Sequence, residues 1–283
     1  MKRFDGRVAA ITGAGSGIGR ALAVELSARG AHLAVSDIDE VGLAETAARC
    51  EGRGVKVVAR QLDVADRDDV HVWADEVVAD HGSVNVIVNN AGVALGADVA
   101  TMSYDDFEWL MDINFWGVVH GTKAFLPHLE ASGEGHVVNI SSVFGLMAIP
   151  SQSAYNAAKF AVRGFTDALR IELEIAESCV SATTIHPGGI ATNIARNARM
   201  SDALAAFGGE GVAANHEFER MLRMPPEKAA VKILDAVARN RRRATIGGDA
   251  KVFDMVSRLP AAFSQKALIQ GARRRYARDA GTD

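Results

Sequence analysis

Tyr155 and Lys159 stand four residues apart in Tyr155-Asn156-Ala157-Ala158-Lys159, with Ser142 upstream in Asn139-Ile140-Ser141-Ser142. On a helix, residues at this spacing share one face. An ammonium beside a phenol favours the phenolate, so the spacing predicts a tyrosine pKa lowered from the usual ~10 toward the working pH, where proton transfer is most effective. Taken alone, a Tyr-x-x-x-Lys spacing arises often by chance. Its meaning depends on the elements that carry it. Composition does not separate Ser141 from Ser142 as the accompanying hydroxyl.

Short apolar runs alternate with longer helical patterns along the chain. Strands are expected over residues 8–12, 32–36, 55–62, 84–88, 136–140 and 180–185. Helices are expected over 18–29, 39–49, 66–81, 104–130 (bent near Asn114-Phe115-Trp116-Gly117) and 154–177. Alternation at these lengths implies βαβ units and a parallel sheet. Continuous apolar strands imply a sheet covered on both faces. The expected fold is α/β, a doubly wound, Rossmann-type parallel sheet flanked by helices, with a C-terminal helical extension. The whole chain, 1–283, reads as one domain. Residues 193–225 lack an obvious strand and read as a variable substrate loop or lid. A helix over 226–240, a last strand over 244–246 and a helical extension from 249, interrupted at Pro260, complete the chain.

The first strand runs into Thr12-Gly13-Ala14-Gly15-Ser16-Gly17-Ile18-Gly19, and a helix follows. Glycines there allow a tight turn and close backbone approach to a pyrophosphate. The helix N-terminus offers unpaired N–H groups to the phosphates. Asp37 follows the second strand. A carboxylate at that place accepts hydrogen bonds from ribose hydroxyls and repels a 2′-phosphate, which favours NAD over NADP, although Arg20 lies nearby. Asp37 or Asp39 could instead cap the next helix, and Asp39 is expected to. Asp63-Val64 and Asn89-Asn90-Ala91-Gly92 also fall at carboxyl ends of strands, the edge along which open α/β sheets bind ligands.

The bulk numbers fit this picture. The chain has 283 residues, 48% hydrophobic and 23% charged, as expected of a globular protein in water. A net charge of −4 gives no general reason to expect nucleic-acid binding. Cys50 and Cys179 have no metal-type spacing, so neither a disulfide nor a metal site is expected. The opening residues lack the apolar core of a signal peptide, and no uncharged run reaches the length of a membrane span, so a cytoplasmic protein is expected.

Together these residues resemble the short-chain dehydrogenase/reductase family, in its compact NAD(P)-dependent branch. The strings that carry the resemblance are Thr12-Gly13-x-x-x-Gly17-x-Gly19, Asn89-Asn90-Ala91-Gly92, Asn114, Ser142, Tyr155-x-x-x-Lys159 and Pro187-Gly188, in the family's order and spacing. The resemblance implies an NAD(P)-dependent alcohol dehydrogenase or ketone reductase. Tyr155 would be the acid/base, Lys159 would bind the nicotinamide ribose, and Ser142, chosen over Ser141 by family spacing, would hold the substrate oxygen. Asn114 would hold a water leading from Lys159 to solvent. Gly13, Ser16, Gly17, Ile18 and Gly19 would take the phosphates. Asn90, Ala91 and Gly92 would border the adenosine, and Asp63 and Val64 the adenine. Pro187, Gly188, Ile190 and Thr192 would meet the nicotinamide end. The family's subunit contacts imply a homodimer or homotetramer through the helices around Asn114 and Tyr155.

The substrate is the less determined part. Phe144, Ile149 and Gly189 are expected to join Ser142 and Tyr155 around it. Apolar Val143, Leu146, Met147, Pro150, Ile194, Met200, Leu204, Phe207, Met221 and Met224 suggest a lipophilic alcohol or ketone, steroid-, retinoid- or lipid-like, or else plain packing. The arginines at 239, 241–243, 273–275 and 278 flank an apolar-periodic stretch. That pattern would suit an anionic membrane surface, but the solvated face of a helix that covers its own pocket or a neighbouring subunit is favoured. Two other readings are a nucleotide sensor without turnover, against which the intact Ser–Tyr–Lys set counts, and a sugar epimerase or dehydratase, against which the glycine spacing counts.

Overall fold

A computed structural model describes residues 3–194, 196–201 and 223–279. β1 (Val8–Thr12) is followed by α1 (Gly17–Ala28), β2 (His32–Asp37), α2 (Glu40–Cys50), β3 (Val57–Gln61), α3 (Arg67–His81) and β4 (Val86–Asn89). Beyond β4 come β5 (Leu95–Gly96), α4 (Tyr104–Met111), a π-helical turn (Asp112–Trp116), α5 (Gly117–Ala131), β6 (Gly135–Ile140) and a 3₁₀ turn (Val143–Gly145). α6 (Ser153–Ile175), β7 (Val180–Pro187), β8 (Arg199–Met200), α7 (Pro226–Ala238), β9 (Arg243–Ile246), α8 (Gly248–Val256) and α9 (Ala261–Asp279) follow.

Seven strands form a parallel sheet in the order β3-β2-β1-β4-β6-β7-β9. The inner strands are buried because their side chains are apolar on both sides: Ile11, Val35, Val88, Val138 and Ile185 face one helical layer, and Ala10, Ile87, Val137 and Ala182 face the other. The first layer includes α1 and α7, through Leu22, Leu26, Ile233 and Leu234. The second includes α3, α5 and α6, through Val70, Trp73, Phe125, Leu129 and Leu169. Trp73 and Phe125 meet edge to face at 5.0 Å, the arrangement aromatic quadrupoles favour. The order in which strands are added reverses between β3 and β4, where the chain crosses to the other side of β1, so the carboxyl ends of β1 and β4 open a crevice between them. Ligands in open α/β sheets bind at such a switch point.

Local sequence accounts for the element ends. Asp39 caps α2 by accepting from Gly42 N at 3.1 Å, and Asp66 caps α3 by accepting from Asp69 N at 3.0 Å. Gly82, at φ +80°, ends α3 in the left-handed conformation that suits glycine.

Several expectations change. The long helix expected over 104–130 is two α-helices joined by the π-turn at 112–116, which is the expected bend. A short strand does lie beyond Thr192: Arg199–Met200 pairs in parallel with Leu95–Gly96, too brief to leave a period in the sequence. β3 is shorter than expected and partly exposed, as an edge strand can be. The arginines at 242 and 243 are not a free basic patch, since Arg242 pairs with Glu174 and Arg243 with Asp167, each at 2.6 Å. Most of the expected lid, with Leu204, Phe207 and Met221, and the side chains of Arg274, Arg275 and Arg278 lie outside the described residues. Among the described residues no helix is long and apolar enough to cross a membrane.

Candidate active site

A cleft of about 520 Å³ runs along the carboxyl edge of the sheet, from Asp37 to Phe253. At its first end, Gly13 takes φ +64°, and a Cβ there would stand 2.7 Å from the Ala91 Cα. Asn90 locks this approach: its Nδ2 donates to the Thr12 and Gly13 carbonyls, both at 3.0 Å. Thr12 Oγ1 in turn accepts from the amides of Asn90 and Ala91 at 3.0 and 3.1 Å. The Asn90 side chain therefore holds the glycine loop as well as lining the cleft. Gly19 is buried inside the first turn, while Ser16, Gly17 and Ile18 line the cleft. Ser16 makes no side-chain cap on α1.

Asp37 is half-buried at the end of β2. Its carboxylate accepts from Gly15 N at 2.7 Å and from Asp39 N at 2.9 Å. Arg20 turns away from the cleft, where its guanidinium bonds the Gly15 and Gly42 carbonyls and Glu45. The described structure thus sets a carboxylate, not a cation, at this end. Asp63 accepts from Ala65 N at 2.9 Å, and both Asp63 and buried Val64 line the same end. Carboxylates at this place suit ribose hydroxyls.

Deeper in, α6 presents Tyr155 and Lys159 to the cleft, and Ser142 follows two residues after the end of β6, at the start of the 3₁₀ turn. Lys159 Nζ donates to the Ile140 carbonyl at 3.1 Å and lies over the Tyr155 ring, 5.6 Å from its centroid. Ser142 Oγ accepts from Phe144 N at 3.1 Å and stands near enough to the Tyr155 phenol to oppose the rise of its pKa. The Ser141 hydroxyl instead donates to the Lys159 carbonyl at 2.8 Å, which separates the two serines by their partners. His186 Nδ1 lies 2.8 Å from the Ser142 carbonyl, and burial brings that imidazole down to about 4.

The pKa expectation for Tyr155 is reversed. Burial pushes the phenol up to about 12, against the opposing effect of Ser142. The same burial brings Lys159 down to about 8. Both groups lose water on entering the fold, and desolvation favours their neutral forms.

Asn114 sits fully buried in the π-turn. Its Oδ1 accepts from Val93 N at 2.8 Å and its Nδ2 donates to Val93 O at 2.9 Å. The amide ties the π-turn to the chain after β4, so the side chain works on backbone. Gly92 keeps the space between Asn114 and Lys159 open: a Cβ there would stand 3.1 Å from Asn114 Oδ1 and 3.5 Å from Lys159 Nζ.

Pro187, Gly188, Gly189, Ile190 and Thr192 line the far wall with Phe144. Ile149 does not line the cleft; it packs behind, with Val143, Phe144 and Tyr155. Trp109, Ile113, Asp249 and Phe253 line the cleft unexpectedly. Trp109 is held face to face by the Arg199 guanidinium, 3.6 Å from the ring centroid. Asp249 and Phe253 belong to the C-terminal extension, which the sequence allowed to cover the pocket without pointing to these residues. Gly247-Gly248-Asp249 directly after a strand of the same sheet is the signal that could have placed them here.

A family model described as short chain dehydrogenase matches residues 7–203. SadH of Mycobacterium tuberculosis, an oxidoreductase by name, is 50% identical over 273 residues, covering 96% of this chain and 97% of that protein. Human estradiol 17-beta-dehydrogenase 11 is 36% identical over 201 residues, covering 71% of this chain and 67% of that protein. A crystal structure of a short-chain dehydrogenase/reductase from Burkholderia phymatum in complex with NAD superimposes with a TM-score of 0.83 at 32% identity, over 90% of this chain and 94% of that chain.

Proposed function

The chain belongs to the short-chain dehydrogenase family and is an oxidoreductase of that family, and on that premise we propose that it moves a hydride between a nicotinamide dinucleotide, NAD in preference to NADP, and a lipophilic secondary alcohol or ketone. The observation that carries this reading is the meeting of Ser142, Tyr155 and Lys159 in one cleft with the glycine loop and Asp37.

The bound dinucleotide supplies the hydride, so the protein has mainly to orient two partners and move one proton. Gly13, Ser16, Gly17 and Ile18, with the N-terminus of α1, cradle the pyrophosphate. Asp37 accepts from the adenosine ribose and repels a 2′-phosphate, with Arg20 directed elsewhere. Asp63, Val64, Asn90, Ala91 and Gly92 border the adenosine, and Pro187, Gly188, Ile190 and Thr192 the nicotinamide end. Ser142 and Tyr155 aim two hydroxyls at the substrate oxygen, where negative charge grows as a ketone is reduced. A phenol pushed up to about 12 is protonated at neutral pH and so is set to donate. Lys159 holds the nicotinamide ribose, and Asn114 stands at the start of a water path to solvent.

Trp109, Ile113, Val143, Phe144 and Phe253 make the substrate end apolar. That wall, with a steroid dehydrogenase among the relatives, supports a lipophilic substrate. Trp116, Phe160, Ile171 and Ile175 are exposed on the π-turn and α6, which supports a homodimer or homotetramer through these helices. Buried Cys50 and exposed Cys179 are both free thiols, which supports a cytoplasmic setting.

Fluorescence titration with NADH and NADPH, followed by a panel of polar and lipophilic ketones, tests the reading. NADH should bind more tightly, steroid-sized ketones should turn over faster than short polar ones, and Tyr155→Phe should bind cofactor without turnover. Tighter NADPH binding would overturn the role of Asp37. Binding with no turnover on a widened panel would leave a nucleotide sensor.

A further inference from the structure

We infer that Asp249 is a positioning residue for the nicotinamide end of the cofactor site, acting through the backbone of Gly188 and Gly189. The inference rests on the cofactor reading above. Asp249 lies beyond the stretch matched by the family model, residues 7–203, and in the first turn of α8.

The loop after β7 is fixed from three sides. Gly188 N donates to the Ile246 carbonyl at 2.9 Å, which extends the β7–β9 ladder by one bond. The Gly189 carbonyl accepts from Arg223 N and Met224 N, both at 3.0 Å. Gly189 N donates to Asp249 Oδ2 at 2.6 Å, the short distance of a charge-assisted bond. Among the described residues, Asp249 is thus the side chain that completes the hold on a loop otherwise fixed by backbone.

The surrounding glycines fit this carboxylate. A Cβ on Gly188 would collide with it, and so would a Cβ on Gly247. Gly247 also takes φ +124°, a conformation only glycine adopts freely. The chain therefore turns sharply after β9, starts α8 at once, and delivers a carboxylate to the Gly188-Gly189 backbone. Gly188, Gly189 and Asp249 all line the cleft, so a shift of this loop is a shift of the cleft wall. Glycine pairs are conformationally loose, and a fixed acceptor supplies the rigidity that their lack of side chains removes.

The test is the binding of NADH and of ADP, which fills the Asp37 end only, to the full chain and to Asp249→Ala, Asp249→Asn and Gly188→Ala. Asp249→Ala should weaken NADH about tenfold, the lower range for one charge-assisted hydrogen bond open to solvent, and leave ADP within about twofold. Asp249→Asn keeps an acceptor oxygen and should recover most of the loss. Gly188→Ala should displace the carboxylate and resemble Asp249→Ala. Unchanged NADH binding in Asp249→Ala overturns the inference alone, as does an equal loss of NADH and ADP, or an Asn variant as weak as the Ala variant. A parent chain that binds neither NADH nor ADP overturns the cofactor reading itself.

Discussion

At the scale of single residues, the site depends on how burial sets two protons. Lys159 is brought down to about 8, so its ammonium is present below that value and is lost as the pH rises through it. Tyr155 stays protonated across the same range. If the Lys159 charge serves turnover, kcat/KM for ketone reduction should be level between about pH 6 and 7 and should fall as the pH passes about 8, since a bell or shoulder in kcat/KM reports groups of the free enzyme. A profile level to pH 10 would remove Lys159 from the proton and ribose roles. The meeting of Tyr155 and Lys159 was legible in the sequence because their spacing is local to one helix, whereas Ser142 was told from Ser141 only by the family resemblance. Trp109, Asp249 and Phe253 were not legible, because each reaches the cleft only through packing between elements far apart in the chain. The direction of the Tyr155 shift was misread for a related reason: spacing shows a neighbouring ammonium but not how much water both groups lose.

At the scale of elements, the π-turn at 112–116 matters most. It bends the chain between α4 and α5 and turns Asn114 inward onto Val93. π-turns recur at functional sites because one extra residue re-aims the side chains around it. Asn114→Leu would keep the volume but leave the half-buried Val93 N–H and C=O without this partner. It should lower stability by about 2 kcal/mol, the cost of stranding such groups. Urea unfolding checks this, and an unchanged midpoint would mean that the amide is dispensable for the fold. The strands were legible from continuous apolar runs, and the helix caps from Asp39 and Asp66. The pairing of β5 with β8 was not, since two-residue strands carry no period. The division of the long helix showed only as the Asn-Phe-Trp-Gly interruption.

At the scale of the whole molecule, the sheet edge gathers the site and the outer helices leave a surface. Trp116 is 48% exposed, Ile171 54% and Ile175 78%, apolar side chains that a subunit contact would cover. Light scattering at micromolar concentration should give a dimer or tetramer, and Trp116→Glu with Ile171→Glu should shift it toward monomer. A monomeric parent chain would count against this surface as an interface. The fold class was legible from the alternation of strands and helices, whereas the place of β9 beside β7 follows only from the folded chain. That placement has a consequence for synthesis. The glycine loop and Asp37 leave the ribosome early, but Asp249 and Phe253, which close the other wall, emerge after more than 240 residues have been made. A nascent chain can therefore shape the floor of its cleft long before it owns a complete one, and the earliest ligand it can hold during translation is one that needs only the nucleotide half.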